Sequence, residues 1–173
     1  RIGITYSTSK PLHTSGMNRT AWFLMEIYTA LGHAVTMVDI GGEERDGWVS
    51  QPQLPSAVSW SKAHHKSTPP LDGLIDIDAK LTPEVRKRLS PTGGSIVFLR
   101  TFLQFTELEA AAYLEVEYTP RHLEGVKEIW CWDRLNPPET LSSVALLFPC
   151  PIRRIPFVWS VSYTHLTLPT IYS

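Results

Sequence analysis

The first forty residues, RIGITYSTSKPLHTSGMNRTAWFLMEIYTALGHAVTMVDI, constrain the fold of this chain more than any other stretch. Ile2, Ile4 and Tyr6 make a β-branched and aromatic run, and Val35 to Ile40 make a second. Between them, Ala21 to Leu31 is long enough for three helical turns. Its polar margin, Arg19, Trp22, Glu26, Thr29 and His33, falls in one stripe at helical spacing. Gly32 then supplies the left-handed stop that ends such helices. A strand–helix–strand unit of this kind makes its strands parallel and leaves the loop after the first strand at the carboxyl edge of the sheet. Ligands bind at that edge, so the loop Ser9 to Arg19 is the first place to look for function.

The rest of the chain extends the same pattern. Leu71 to Ile77 (LDGLIDI) reads as a third strand. Thr82-Pro83-Glu84 then gives a capping hydroxyl, a proline at the first helical position and an acid at the positive helix end, with Val85 and Leu89 on one face. Ser95 to Leu99 (SIVFL) is a continuous apolar run of the sort that parallel sheets bury. Thr106 and Glu109 form a capping box ahead of a helix over about 107–114. Glu128 to Trp132 (EIWCW) is a fifth strand, and Asn136-Pro137-Pro138-Glu139 opens a helix through Leu147. Arg154 to Trp159 is a sixth strand, although Pro156 demotes it to an edge or to a ladder interrupted at that point. The expectation is one α/β domain over 1–160, a Rossmann-like, mostly parallel sheet of about six strands flanked by helices. Residues 41–70, rich in Gly, Pro, Ser and His, read as a long irregular excursion, with a short helix conceivable around Ser56 to Lys62. The final segment, VSYTHLTLPTIYS (161–173), resembles translated sequencing-adapter read-through. The chain is therefore expected to be a metagenomic fragment with a non-native tail.

Composition excludes several classes of function. A net charge of −1 gives no electrostatic case for nucleic acid or an anionic membrane surface. No apolar run approaches the roughly 20 residues of a transmembrane span. Cys131 and Cys150 make no disulfide framework and read as buried thiols, no residues have zinc-ligand spacing, and a cytoplasmic location is expected. The pair His64-His65 reads as a solvated loop.

The candidate chemistry lies at the carboxyl edge. Ser15, Gly16, Asn18 and Arg19 sit just before the first helix, where glycine admits a ligand close to the backbone and a helix start offers amide donors to phosphate. Asn18 could equally cap the helix. Neither a G-x-G-x-x-G fingerprint nor a P-loop is present. Asp39, at the end of the second strand, could hold a ribose hydroxyl. Arg100 and Arg134, after the fourth and fifth strands, could pair with phosphate, and Asp133 could take a proton from a hydroxyl nucleophile, although structural salt bridges explain these residues equally well. Trp130 and Trp132 share one strand face and suit a core or a sugar-stacking platform. Arg121-His122 and Arg153-Arg154 read as solvated.

The segments RIGITYSTSKPLHTSGMNRTAWFLMEIYTALGHAV and GVKEIWCWDRLNPPETLSSVALLFPCPIRRIPFVWS carry a resemblance. The Ser15-Gly16-Met17-Asn18 loop, the tryptophan-bearing strand, Cys150-Pro151 and Pro156-Phe157-Val158-Trp159-Ser160 together resemble the amino-terminal half of an uncharacterised GT-B-type glycosyltransferase-like family. That resemblance implies a two-domain transferase with a cleft between two Rossmann-like halves. The half seen here would be the acceptor side, and a carboxy-terminal domain would bind most of a nucleotide-sugar donor. It further implies no tightly bound metal or cofactor, a nucleotide sugar as co-substrate, an acceptor of unknown identity, and donor phosphates near Gly16 and Asn18. On this reading the fragment alone is expected to be inactive. The alternatives are a non-catalytic Rossmann-like binding or assembly module, or another nucleotide- or phosphate-binding α/β enzyme.

Overall fold

The computed structural model describes residues 1–12, 15–41, 53–66, 68–99, 120–133 and 145–156. Seven strands form one wholly parallel sheet: β1 (Ile2–Tyr6), β2 (Val35–Asp39), β3 (Val58–Lys62), β4 (Gly73–Ile77), β5 (Ser95–Phe98), β6 (Val126–Trp132) and β7 (Ile152–Ile155). Their order is β3-β2-β1-β4-β5-β6-β7. The chain thus winds outward from β1 in one direction, then returns and winds outward in the other. This is a Rossmann-like α/β arrangement in a single domain.

Alternation along the strands divides the core into two layers. Ile4, Tyr6, Val35, Met37, Ile75, Ile77, Phe98 and Trp132 face α1 (Gly16–Ala30), which buries Met17, Ala21, Leu24 and Met25 against them. On the opposite face, Val38, Leu74, Leu81 and Leu89 pack with α2 (Pro83–Leu89), while Val97, Ile129 and Cys131 form a neighbouring cluster. Burial pushes the Cys131 thiol up to about 11, so it is an inert core residue. Both cysteines are free.

Several local expectations hold. Gly32 is left-handed at φ 84°, just past the end of α1, and Thr82 caps α2 with Pro83 in its first turn. Strand β7 is an edge strand and ends before Pro156. Trp130 and Trp132 lie on one face, with Trp132 in the core against Phe23 and Phe98. His64 and His65 are both exposed.

Three expectations need correction. Helix α1 begins five residues earlier than the apolar pattern indicates, because Ser15 rather than Asn18 supplies the cap. Val58–Lys62, assigned to the irregular excursion with a possible helix, is a parallel edge strand. Its Val-Ser-Trp-Ser alternation places Val58 and Trp60 against the core, and two apolar side chains gave too short a run to stand out. In α2 Val85 and Leu89 share a face against one apolar cluster, as expected, with Arg86 buried beside Leu89. His122, read as solvated, is half-buried and bonded on both sides. The helices expected over 107–114 and from 137, and the tail 161–173, lie outside the described residues.

No helix among the described residues is long and apolar enough to cross a membrane.

Candidate functional site

The winding direction reverses between β1 and β4, and there the sheet opens. Their register runs only from Ile2↔Gly73 to Ile4↔Ile75. By contrast, β1 and β2 stay paired to Tyr6↔Asp39, and β4 and β5 to Ile77↔Phe98. At the parting point the Thr5 hydroxyl accepts the Ile77 N–H at 2.7 Å, standing in for a strand carbonyl. At the carboxyl edge above it the β1–α1 loop and the β4–α2 turn leave the sheet on either side, and doubly wound sheets open into a crevice between two such connections. Reversal points of this kind are where open α/β sheets hold their ligands.

The β1–α1 lip is laced from inside. Asn18 is fully buried, its Oδ1 accepts the Ser7 N–H at 3.0 Å, and its Nδ2 donates to the carbonyls of Ser7 at 2.9 Å and Lys10 at 2.8 Å. The amide thus imitates a neighbouring strand, pairing with a loop that has left the sheet. Ser15 Oγ accepts the Asn18 N–H at 3.2 Å, closing the first turn of α1. From β2, Asp39 accepts the Thr8 N–H at 3.1 Å and the Thr8 hydroxyl at 2.8 Å. It also takes the Gly41 N–H at 2.8 Å. The fit is close enough that a Cβ on Gly41 would stand 2.8 Å from Thr8 Oγ1. Burial, then the charge of Asp39, pushes the Tyr6 hydroxyl above its ordinary pKa.

The β4–α2 lip is built differently. Asp76 and Arg86 form an ion pair at 3.1 Å, with relative exposures of 0% and 2%. The Asp76 carboxylate also accepts the N–H groups of Lys80 at 3.0 Å and Leu81 at 3.1 Å. Arg86 donates to the Leu81 carbonyl at 3.0 Å and to the His122 carbonyl. His122 Nε2 lies 2.9 Å from the Ala79 carbonyl oxygen. Burial pushes the Asp76 carboxyl up to about 6, against the opposing pull of the Leu81 N–H and the Arg86 charge. Inside this frame Asp78 and Ala79 are left-handed, at φ 56° and 49°. Each costs on the order of 1–2 kcal/mol for a residue with a Cβ.

The carboxyl edge thus holds Ser15, Gly16, Asn18, Arg19 and Asp133, though not side by side. Asn18 and Ser15 are buried with their side chains committed to the loop, Gly16 is half-buried, and Arg19 is exposed. Asp39 is likewise largely committed, with three of its four lone pairs taken by Thr8 and Gly41, and only one on Oδ2 left for a ribose hydroxyl. Asp133 is half-buried after β6, its N–H bonded to the Ile155 carbonyl and its carbonyl to Arg154. Strands β4 and β5 lie between β1 and β6, so Asp133 stands about 14 Å from the β1–α1 loop at ordinary strand spacing. Arg100 and Arg134 lie outside the described residues.

Sequence reasoning passed over Thr5, Thr8, Asp76 and Arg86, and read His122 as solvated. Two signals were available. Asp76 interrupts an otherwise apolar strand, and Arg86, three residues from Leu89, occupies the inner face of a short helix.

Among the described residues no group of His, Cys, Asp and Glu could hold a metal ion. Comparison of the chain with family models, with curated proteins and with solved structures found no match.

Proposed function

We propose that this chain is the acceptor-side half of a GT-B-type glycosyltransferase, and that the crevice between β1 and β4 faces a nucleotide-sugar donor held mainly by a second domain. The observation that carries the reading is the parting of β1 from β4 beyond Ile4↔Ile75, beneath a loop fixed by Asn18 and Asp39. A loop already immobilised loses little further entropy on binding, which favours recognition of a polar ligand. The groups it leaves toward solvent suit a phosphorylated, hydroxyl-rich molecule: Ser9, Lys10, the half-buried Gly16 backbone and Arg19. In this assignment Gly16 and Arg19 stabilise charge on the departing diphosphate, and Ser15 and Asn18 hold the loop in place. The resemblance in the Ser15–Asn18 loop and the Cys150-Pro151 segment supports the transferase over other uses of the fold.

The test is a thermal-shift titration of the complete product of the parent gene with uridine- and guanosine-diphosphate sugars. A true donor at a hundredfold excess over its Kd stabilises by about 2.7 kcal/mol, which moves the midpoint by several degrees. The isolated 173-residue chain should show no sustained sugar transfer. Stabilisation by inorganic phosphate or a nucleoside monophosphate alone would move the assignment to a different phosphate-binding enzyme. No response to any of these ligands would favour the non-catalytic module.

A further inference from the structure

We propose that the Asp76 carboxylate is a proton-operated latch on the β4-side lip of the crevice: ionised, it fixes residues 78–81, and protonated, it lets the Lys80 end of that turn go. Its bearing on function rests on the crevice being the binding site, but the latch is tested without any ligand, so the two ideas fail separately.

The geometry makes one carboxylate the junction of three segments. It belongs to β4, accepts two N–H groups from the turn, and pairs with Arg86 of α2. Arg86 in turn reaches the His122 carbonyl ahead of β6, and the His122 ring returns to Ala79. The turn so enclosed contains the left-handed Asp78 and Ala79. A conformation of that kind persists only while its surroundings hold it.

The charged and titratable groups around the carboxylate come from each neighbouring element. Arg86 supplies the cation from α2. His122 and Cys150 approach that guanidinium from the turn before β6 and the segment before β7. Asp78 lies two residues on in the turn itself, and Lys80 contributes its backbone N–H while its side chain is exposed. The guanidinium is incompletely matched, because Arg86 Nε is buried with no acceptor. Asp76 itself meets three donors, one of them this cation, so its charge is set by burial working against those bonds. Burial pushes this carboxyl to about 6, within reach of mildly acidic conditions.

The proton step is simple. Oδ2 carries two donors, one of them cationic, whereas Oδ1 carries only the Lys80 N–H. A solvent proton therefore adds to Oδ1, weakening it as an acceptor, and no other bond is made or broken. Arg86 keeps its charge and its contact with Oδ2.

The test is backbone amide exchange by NMR on the isotopically labelled chain, corrected for intrinsic chemistry. Between pH 7.5 and pH 5, Lys80 protection should fall about tenfold, the change expected when a charge-assisted bond becomes a neutral one. Met37, in the middle of β2, should hold its protection, and the Asp76 carboxyl carbon should titrate over the same range as the Lys80 loss. In Asp76→Asn the Lys80 protection should no longer depend on pH. Should that variant fail to fold, the carboxyl titration and Lys80 exchange of the natural sequence decide the matter by themselves. Unchanged Lys80 protection across the range, or a carboxyl titrating near 4, overturns the latch.

Discussion

The two lips of the crevice solve one problem by different chemistry. Each must hold a stretch of backbone that has left the sheet, and each does so from a buried side chain. On the β1 side Asn18 offers an acceptor and a donor from one neutral amide, and Asp39 is met by the backbone N–H groups of Thr8 and Gly41 and by the Thr8 hydroxyl. On the β4 side Asp76 is met by a buried guanidinium as well as by backbone N–H groups. A neutral amide carries no charge into the interior, so its bonds are insensitive to acidity. An ion pair holds more firmly but loses two hydration shells, and each partner depends on the other. Where Asn18 holds it the β1 lip is thereby insensitive to acidity, whereas the β4 lip is responsive at Asp76.

The largest break in that comparison comes from Asp76→Ala, which leaves Arg86 charged and unpaired. We expect a loss of about 3–5 kcal/mol, read as a lower urea midpoint. Replacing both partners with apolar residues, Asp76→Leu with Arg86→Met, should recover much of the loss, since no buried charge then remains.

Next in size is Asn18→Ala. It strands the Ser7 N–H and two carbonyls, for an expected cost of about 2–3 kcal/mol by chemical denaturation. Unlike the Asp76 effect, this loss should be the same at pH 5 and pH 7.

A third prediction uses pH to sharpen the contrast. The native Asp76 carboxyl titrates near 6, above the ordinary value near 3.9 of an unfolded chain. In the interval between them the native state binds the extra proton. The contribution of Asp76 to stability is therefore greatest below that interval and is lost as pH rises through 6. Stability of the natural sequence minus that of Asp76→Asn should accordingly fall from pH 4 to pH 7, and a rise would contradict the assignment. Global stability and local order part company here, because the proton that relieves a buried charge also weakens the bond to Lys80.

The smallest expected effect is at Ser15→Ala. Losing this N-cap should cost about 1 kcal/mol, with fraying confined to the first turn of α1 and no change in the β4–α2 turn.

How much of this was legible beforehand follows from how local each signal is. The first βαβ unit, the Thr82-Pro83 start of α2 and the buried runs of β4, β5 and β6 announce themselves within a few residues. Strand β3 did not, because Val58 and Trp60 alone are a weak apolar run. At the candidate site, the Ser15-Gly16-Met17-Asn18 motif drew attention to the β1–α1 loop, yet Asn18 works from within it. Its partners, Ser7 and Lys10, are chosen by how the loop folds back. Likewise Arg86 went unread: its spacing from Leu89 marks an inward position, but nothing near it in the chain shows that Asp76 lies beneath.

Period, capping residues and β-branched runs by themselves determined a parallel, Rossmann-like sheet, since backbone sterics and apolar spacing act over neighbouring residues. Tertiary structure alone decided that β1 and β4 part beyond Ile4↔Ile75, that Asn18 and Asp39 are committed inward, and that Asp76 is locked to Arg86. Those outcomes depend on which polar groups lose water together, and only the assembled fold brings them within bonding distance.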